Sequence, residues 1–239
     1  SDYEMFTPAG WSYIAYLHQD PSDAETMMAP VSDLIILKDG AGSVYWPLIG
    51  VNALDGGSGM MKPGLGYQIK VESDVYFSYP DMTSASRFAS NATPVYPLTK
   101  FRESVNTGSN MTVGIPTDSW EVLPEEGDEI AAYTEGGLLV GSVTYTGEST
   151  ALTVWGDDIT TDEVEGLVEG EVISFELWRK SEDRIESLDV RDWVEGDNVY
   201  TVNGIAVAGS ITSSVSVMGY ELYPNVPNPF GAKTSISFF

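Results

Sequence analysis

The feature that most constrains the fold is a series of short β-prone runs in the second half of the chain, each bounded by Gly, Asp, Asn or Pro. Strands separated by turn residues at this spacing, with no helical periodicity, are typical of antiparallel sandwiches. The runs are Met111 to Ile115, Glu129 to Tyr133, Leu138 to Tyr145, Ser149 to Trp155, Val172 to Trp178, Ser187 to Val190 and Val199 to Val202. We therefore predict a mainly β fold in which residues 105–211 form an antiparallel, immunoglobulin-like β-sandwich.

The first 81 residues predict a small β-rich domain with one short helix. Ser22 and Glu25 have the spacing of a capping box, so the helix is expected to begin at this point. Residues 34–46 contain an apolar run, a Gly-rich turn and a second β-prone run, which together predict a hairpin. Gly66 to Glu72 alternates polar and apolar residues and is expected to pair with Val75 to Tyr79.

Two segments differ in composition from these units. Residues 82–104 are rich in Ser, Thr, Asn and Pro and predict a linker, with a long surface loop inside one domain as the alternative. Residues 212–239 contain three prolines within six positions, which force an extended chain. We interpret them as a second linker followed by a terminal strand, Thr234 to Phe239.

Composition excludes several classes of protein. The chain has no cysteine and a single histidine, so disulfides, a thiolate nucleophile and Cys-containing zinc sites are excluded. The net charge of −25 disfavours a nucleic-acid partner, because phosphate recognition needs a concentrated positive surface. No run approaches the roughly 18 apolar residues of a membrane-spanning helix, and we expect no membrane span. We also expect no catalytic site, because no nucleophile elbow or metal-ligand spacing is present.

The tail carries the most specific motif. The stretch LYPNVPNPFGAKTSISF places a Pro/Asn-rich turn before a strand of the form T-x-I-x-F. It resembles the opening of the C-terminal sorting domains of type IX secretion cargo proteins of Bacteroidetes. The matching positions are Tyr223, Pro224, Asn225, Asn228, Pro229, Phe230, Thr234, Ile236 and Phe238. The resemblance implies export by the type IX secretion machinery and an extracellular or cell-surface location.

Two further resemblances cover most of the remaining chain. Gly10-Trp11-Ser12, Val44-Tyr45-Trp46-Pro47 and the stretch Pro63 to Lys70 look like a β-rich repeat of the same large secreted proteins. Leu152 to Asp158 and Phe175 to Trp178 resemble modules that precede the sorting domain. Neither module family implies an enzymatic activity.

The sorting domain of that family continues for several strands, whereas this sequence stops after the first. A lone strand with an apolar face made by Ile236, Phe238 and Phe239 is not stable in water. Two interpretations remain: the rest of the domain is missing from this sequence, or the strand completes another fold. Completion could occur within the chain or in a neighbouring copy, as in donor-strand assembly.

Two candidate sites follow from residue type. Asp157, Asp158 and Asp162 lie on one acidic stretch and could supply oxygen ligands to Ca²⁺, although the D-x-D-x-D-G spacing is missing and a solvated acidic loop is the alternative. Tyr45 and Trp46 adjoin a Gly- and Pro-rich stretch and could stack on a carbohydrate, with core packing as the alternative. His18 is expected to have a structural or solvent-facing role.

Two hypotheses about function remain. The first is a non-catalytic, secreted structural or adhesion protein built of β-modules, displayed on the cell surface or assembled into a filament with copies of itself or other surface proteins. The high acidity agrees with an exposed, soluble surface. The alternative is a carbohydrate-binding accessory region of a secreted hydrolase.

Overall fold

The computed structural model describes residues 3–81 and 91–215. The predicted tail motif, from Tyr223 and Pro224 through Asn228, Pro229 and Phe230 to Ile236 and Phe238, lies outside the described residues. With 43% strand and 7% helix, the prediction of a mainly β, sandwich-like fold is confirmed.

The first unit contains nine short strands and two short helices. The strands are β1 (Met5–Thr7), β2 (Gly10–Ala15), β3 (Ser22–Asp23), β4 (Leu34–Lys38), β5 (Val44–Trp46), β6 (Val51–Asn52), β7 (Met60–Met61), β8 (Gly66–Val71) and β9 (Val75–Phe77). The helices are α1 (Ala24–Met28) and α2 (Leu54–Gly57). A five-stranded sheet has the order β2-β8-β4-β5-β6, and β1-β9 and β3-β7 form two further pairs.

Local predictions in this unit are correct in part. The hairpin over residues 34–46 is confirmed, since β4 and β5 pair with Leu37 opposite Tyr45. The predicted pairing of residues 66–72 with residues 75–79 is wrong. Both edges of β8 are taken by β2 and β4, so β9 pairs with β1 instead.

The cap of α1 also differs from the prediction. Asp23 caps the helix, with its carboxylate accepting from Thr26 N at 2.9 Å and Thr26 Oγ1 at 2.6 Å. Ser22 is instead a buried residue of β3 opposite Met61. The one-turn helix α2 was not expected, and Asp55 and Gly56 within it have left-handed backbone angles.

The second unit is one seven-stranded sheet that bends into a sandwich-like body. Its strands are β10 (Asn110–Ile115), β11 (Glu129–Tyr133), β12 (Leu139–Thr144), β13 (Thr150–Trp155), β14 (Ser174–Arg179), β15 (Arg184–Glu195) and β16 (Ile205–Val215). The order is β12-β11-β14-β15-β16-β10-β13, and the one departure from antiparallel pairing is β10 with β16. The predicted strand over residues 199–202 is a loop, and β16 was not predicted: residues 205–211 were placed in the sandwich without a strand, and residues 212–215 were placed in the tail.

Each unit has its own hydrophobic core. In the sandwich, apolar side chains from all seven strands converge, with Ile130, Leu152, Val154 and Leu177 having no exposed surface. In the first unit the core forms between α1 and the inner face of the five-stranded sheet. Burial of this extent is the main favourable term for folding each unit.

Candidate binding cleft at the junction of the two units

The two units share a third hydrophobic cluster, which we call the junction core. The first unit contributes Ile36, Val44, Trp46 and Val51, and the sandwich contributes Ile205 and Val207, all buried. Because these side chains lose water only when both units are present, the junction core resists separation of the units.

Hydrogen bonds surround the junction core. Thr153 Oγ1 donates to Gly42 O at 2.7 Å, and Asn106 Nδ2 donates to Gly40 O at 3.0 Å. Gln68 Nε2 of β8 donates to Asn203 Oδ1 at 2.9 Å. Directional bonds at several points around an apolar centre define one relative arrangement of the two units.

Lys38 brings a buried charge to this junction. Its side chain is 2% exposed, and its ammonium donates to Asn110 Oδ1 of the sandwich and lies 5.5 Å from the centre of the Trp11 ring. Burial lowers the pKa of Lys38 to about 8, because the charged form loses its hydration.

The segment between the units is fastened at both ends. Residues 91–104 contain no helix or strand. Thr93 N donates to Asn52 O at 2.7 Å, and the main-chain N–H groups of Thr99, Lys100 and Phe101 donate to the Glu129 carboxylate. Burial acts to raise the pKa of Glu129, but these hydrogen bonds outweigh it and hold the pKa below its ordinary value. The segment is therefore a fixed wall.

A cavity of about 630 Å³, which we call the cleft, lies under this wall. Its other sides are the turn before β5, with residues 41–44, and the outer surface of β12 and β13. Apolar groups such as Val51, Val95 and Trp155 alternate with hydroxyl groups, and Glu103 is the single charged side chain among the lining residues. A volume of this size is typical of ligand sites.

The edge strands β12 and β13 meet beside the cleft without forming a ladder, along a line that we call the seam. A Cβ atom on Gly141 would lie 2.4 Å from Thr153 O, so glycine is required for this close approach. The two strands are thus adjacent without a ladder between them: β12 pairs with β11, and β13 pairs with β10 and accepts from Leu167 N at Trp155.

Alternate residues of β12 direct their main-chain N–H and C=O groups away from β11, toward the seam. Tyr145 N donates to Asp128 O at 2.7 Å on the β11 side. Because strand residues alternate in the direction of their peptide groups, Ser142 and Thr144 direct theirs to the opposite side. The hydroxyl groups of Thr144 and Thr146, which both line the cleft, are buried without a hydrogen-bond partner among the described residues.

On β13 the same alternation holds. Trp155 O accepts from Leu167 N at 3.0 Å on the side away from β10, and Ala151 and Thr153 share that orientation. The seam thus presents peptide groups of both edge strands beside the cleft. Because Gly141 and Thr153 O approach so closely, there is no space at this point of the seam for a further strand between β12 and β13.

The prediction of Trp46 as an exposed stacking residue is wrong. Its ring has no exposed surface, because Gly114 of β10 and the branched side chains of the junction core cover it. Tyr45, its neighbour on β5, is half-buried and lines a second cavity of about 610 Å³. Burial, and then the nearby Glu25 and Asp23, raise the pKa of Tyr45 to about 12.

The predicted calcium ligands do not converge. Asp157 Oδ1 accepts from Glu165 N at 2.7 Å, and Asp158 Oδ1 accepts from Thr160 N at 2.9 Å, so each carboxylate caps its own turn. Asp162 is exposed. Over residues 3–81 and 91–215, no group of three or more Asp, Glu or His side chains has the geometry to hold a metal ion.

His18 lies in an aromatic cluster of the first unit. Its ring centre is 5.6 Å from that of Tyr16 and 5.8 Å from that of Tyr79. Trp155 and Trp178 are buried, whereas Trp11 is half-buried beside Lys38 and Lys70. His18 thus contributes to ring packing.

A buried charged cluster lies within the sandwich. Arg179, 8% exposed, pairs with Asp128 Oδ2 at 3.3 Å and with Glu186 Oε2 at 3.2 Å. Asp128 also accepts from the main-chain N–H groups of Glu125 and Lys180. With its members satisfied by one another, this cluster stabilises the fold and offers no group to a ligand.

Sequence reasoning identified the walls of the cleft only as a linker and as strands. Pro94 and Pro97 contribute to the prediction of a linker, but nothing in the sequence indicates that Glu129 fastens it or that β12 and β13 become edges. The helices in the described ranges lack the length and apolar character needed to cross a membrane.

No family model, curated protein or solved structure matches the chain.

Proposed function

We propose that the chain is a non-catalytic β-module of a secreted protein, displayed on the cell surface or assembled into a filament. The observation that carries the proposal is the junction core, in which Trp46 and Ile36 of one unit pack with Ile205 and Val207 of the other. A displayed or load-bearing module needs a fixed arrangement of its parts, whereas domain closure around a substrate needs a junction that can move.

The lining of the cleft supports the same proposal. Its polar groups are hydroxyls, amides and peptide groups, with Glu103 as the single carboxylate. The lining has one carboxylate, Glu103, and one phenol, Tyr96, whose hydroxyl group donates to Glu126 at 3.0 Å, and it holds no histidine or lysine. Such a surface can hold a ligand by hydrogen bonds without transforming it.

The proposed route to the outside rests on the tail. Tyr223, Pro224, Asn228, Pro229 and Phe230 resemble the sorting-domain turn of type IX secretion cargo, and the net charge of −25 suits an exposed surface. In this proposal the partners are the type IX secretion machinery and other surface proteins or copies of the chain.

The experiment is surface labelling of the bacterium that encodes the chain. Antibodies raised against the full chain are applied to intact and to lysed cells, with an abundant cytoplasmic protein as the control for leakage. We expect intact cells to be labelled, and the labelling to be lost when type IX secretion is disabled. Labelling of lysed cells alone would contradict the proposal.

Electron microscopy then separates display from assembly. A regular filament or layer on cells supports assembly, and isolated chains support display. Sedimentation of the purified chain with and without Thr234 to Phe239 tests whether the tail drives any polymer, which its deletion should abolish.

A second candidate function, carbohydrate binding, is favoured by the second cavity. Tyr45 lies there with Asn52, Asn91, Glu25 and Glu148, a combination of an aromatic ring with amides and carboxylates that can hydrogen-bond sugar hydroxyls. Co-sedimentation with insoluble polysaccharides tests it. Tyr45→Ala should abolish retention, while Tyr76→Ala, at an exposed tyrosine of β9, should not.

A further inference from the structure

We infer that the second cavity, which Tyr45 lines, binds a sugar that carries a protonated amino group. The inference rests on the second candidate function, carbohydrate binding, and deepens it by naming the class of sugar. Three features of the cavity select this class: the sign of its charge, the aromatic ring of Tyr45 and a buried amide oxygen without a hydrogen-bond partner.

The charge of the second cavity is negative. Glu25 of α1 and Glu148 of the turn between β12 and β13 line it, one from each unit, and the described residues of the lining include no lysine, arginine or histidine. Glu25 accepts a hydrogen bond from Asn91 Nδ2 at 2.7 Å, which leaves its charge uncompensated. A cation in the cavity is attracted by both carboxylates, whereas an anion is repelled by both.

The ring of Tyr45 lies among these negative charges. Tyr45 is half-buried on β5, and the effect of Glu25 and Asp23 on its pKa shows that their carboxylates lie close to it. The face of an aromatic ring attracts a cation within about 6 Å of its centre. The C–H groups of a sugar ring also pack on such a face. An amino sugar can make both contacts with one ring.

A buried amide in the lining lacks a donor. Asn52 of β6 is 2% exposed, and its Oδ1 has no hydrogen-bond partner among the described residues. Its Nδ2 donates to Gly59 O at 3.3 Å, so the oxygen is the open end of the amide. An unsatisfied buried acceptor is costly, and an N–H or O–H donor removes that cost. The site therefore favours a ligand that brings donors.

Other polar groups of the lining favour a hydroxylated ligand over a simple amine. Asn91, Thr117 and Ser149 bring an amide and two hydroxyl groups, and Gly50 and Gly147 are exposed. The aliphatic part of a lysine or a diamine would cover these groups without bonding them, whereas ring hydroxyls can donate to them and accept from them. The volume of about 610 Å³ lies in the range of small-ligand sites.

The junction core holds the second cavity in one shape. Val51 belongs to that core and Ile49 packs against it, and both also line the cavity. Glu25 and Glu148 come from the two units that the core joins. Because the two carboxylates are already held in place, little ordering of the chain opposes binding.

Two disaccharides that differ only in their amino groups test the inference. The probes are the glucosamine dimer and its N,N′-diacetylated form, and putrescine serves as a diamine without hydroxyl groups. Calorimetric titration of the full chain at about pH 6 keeps the amines protonated, and about 150 mM NaCl screens general attraction to the net charge of −25. The glucosamine dimer should bind at least tenfold more tightly than either other probe, and should shift the NMR amide signals of Gly50 and Gly147.

Matched variants separate the site from the overall charge. Glu25→Gln and Glu148→Gln should each weaken binding of the glucosamine dimer at least fivefold. Glu72→Gln makes the same change in net charge at an exposed residue outside the lining, and should leave the affinity within twofold. Circular dichroism melts establish that each variant folds like the parent.

Each contrary result has a distinct meaning. Equal affinity for the acetylated dimer would overturn selection of the amino group and leave carbohydrate binding standing. Equal affinity for putrescine, or an equal loss in Glu72→Gln, would overturn the amino-sugar site, because charge alone would explain binding. Absence of binding by both dimers would overturn the inference together with the second candidate function. Surface labelling does not depend on this cavity, so the proposed display of the chain fails or stands separately.

Discussion

Replacing Lys38 with methionine should change how stability depends on pH. Lys38 is 2% exposed at the junction of the two units, and its pKa falls from 10.5 to about 8 because the ammonium loses its hydration. Methionine keeps most of the volume of the side chain and removes the charge. The variant should therefore lack the pH-dependent change in stability that Lys38 gives the parent.

The magnitude follows from the two pKa values. A difference between 10.5 and about 8 corresponds to roughly 3 kcal/mol of penalty for holding the charged form in the folded chain. Below pH 8 this penalty is present in full. Between pH 8 and 10.5 the unfolded chain binds more protons than the folded chain, so the free energy of unfolding of the parent rises with pH.

The assay is urea denaturation of both chains at several values between pH 7 and pH 10. We expect the difference in the free energy of unfolding, parent minus Lys38→Met, to rise by roughly 2–3 kcal/mol over this range. Tyrosine ionisation occurs in both chains and cancels in the difference. Loss of the hydrogen bond from Lys38 to Asn110 shifts the difference in the free energy of unfolding by a constant and does not alter its dependence on pH.

Lys70→Met is the matched control, because Lys70 also lies beside Trp11 but is half-exposed. If the difference in the free energy of unfolding between the parent and Lys38→Met varies by less than about 0.5 kcal/mol from pH 7 to pH 10, burial does not lower the pKa of Lys38 as argued.

Three further outcomes are expected. Gly114→Ala should destabilise the chain by about 1–2 kcal/mol in urea denaturation, because the added Cβ would lie 3.0 Å from the Trp46 ring. Glu129→Gln should cost roughly 1–3 kcal/mol at pH 7, where the carboxylate holds the connecting segment. Since the pKa of Glu129 is lowered in the folded chain, that contribution is lost as pH falls through the lowered pKa, and the difference between the two chains should shrink on acidification. Millimolar CaCl₂ should leave the melting temperature at its value in EDTA, because Asp157 and Asp158 cap separate turns.

Controls accompany each of these measurements. Gly136→Ala adds a Cβ whose nearest atom is 3.7 Å away, and equal costs for both glycine variants would contradict the packing argument. A difference in stability between Glu129→Gln and the parent that does not shrink on acidification would show that the ionised carboxylate does not hold the segment. A calcium-specific rise in melting temperature, absent with MgCl₂, would show that the acidic loop binds the ion.

Local sequence predicts the strands well where the local pattern suffices. The hairpin over residues 34–46 depends on neighbouring residues only, and it is present. The burial of Trp46 could not be predicted in this way, because Gly114, Ile205 and Val207 cover it from the other unit. Burial of a single aromatic side chain is decided by contacts that are distant in sequence.

The cleft could not be predicted for the same reason. It depends on β12 and β13 becoming the edges of the sheet, and strand order is a property of the whole topology. The strand β16 was missed because its Ser- and Thr-rich run resembled the start of the tail. Its β-branched residues fit a strand once β15 and β10 are available on either side.

The parallel pairing of β10 with β16 sets the order in which the molecule can be completed. Thr112 lies opposite Ile205, a residue 93 positions later. Until residues 205–215 have left the ribosome, β10 and β15 each lack a neighbour, so the nascent chain emerges with two incomplete half-sheets. Such distant pairing slows folding. In the interval before it forms, the polypeptide is incompletely folded and can be passed through a pore or bound by a chaperone.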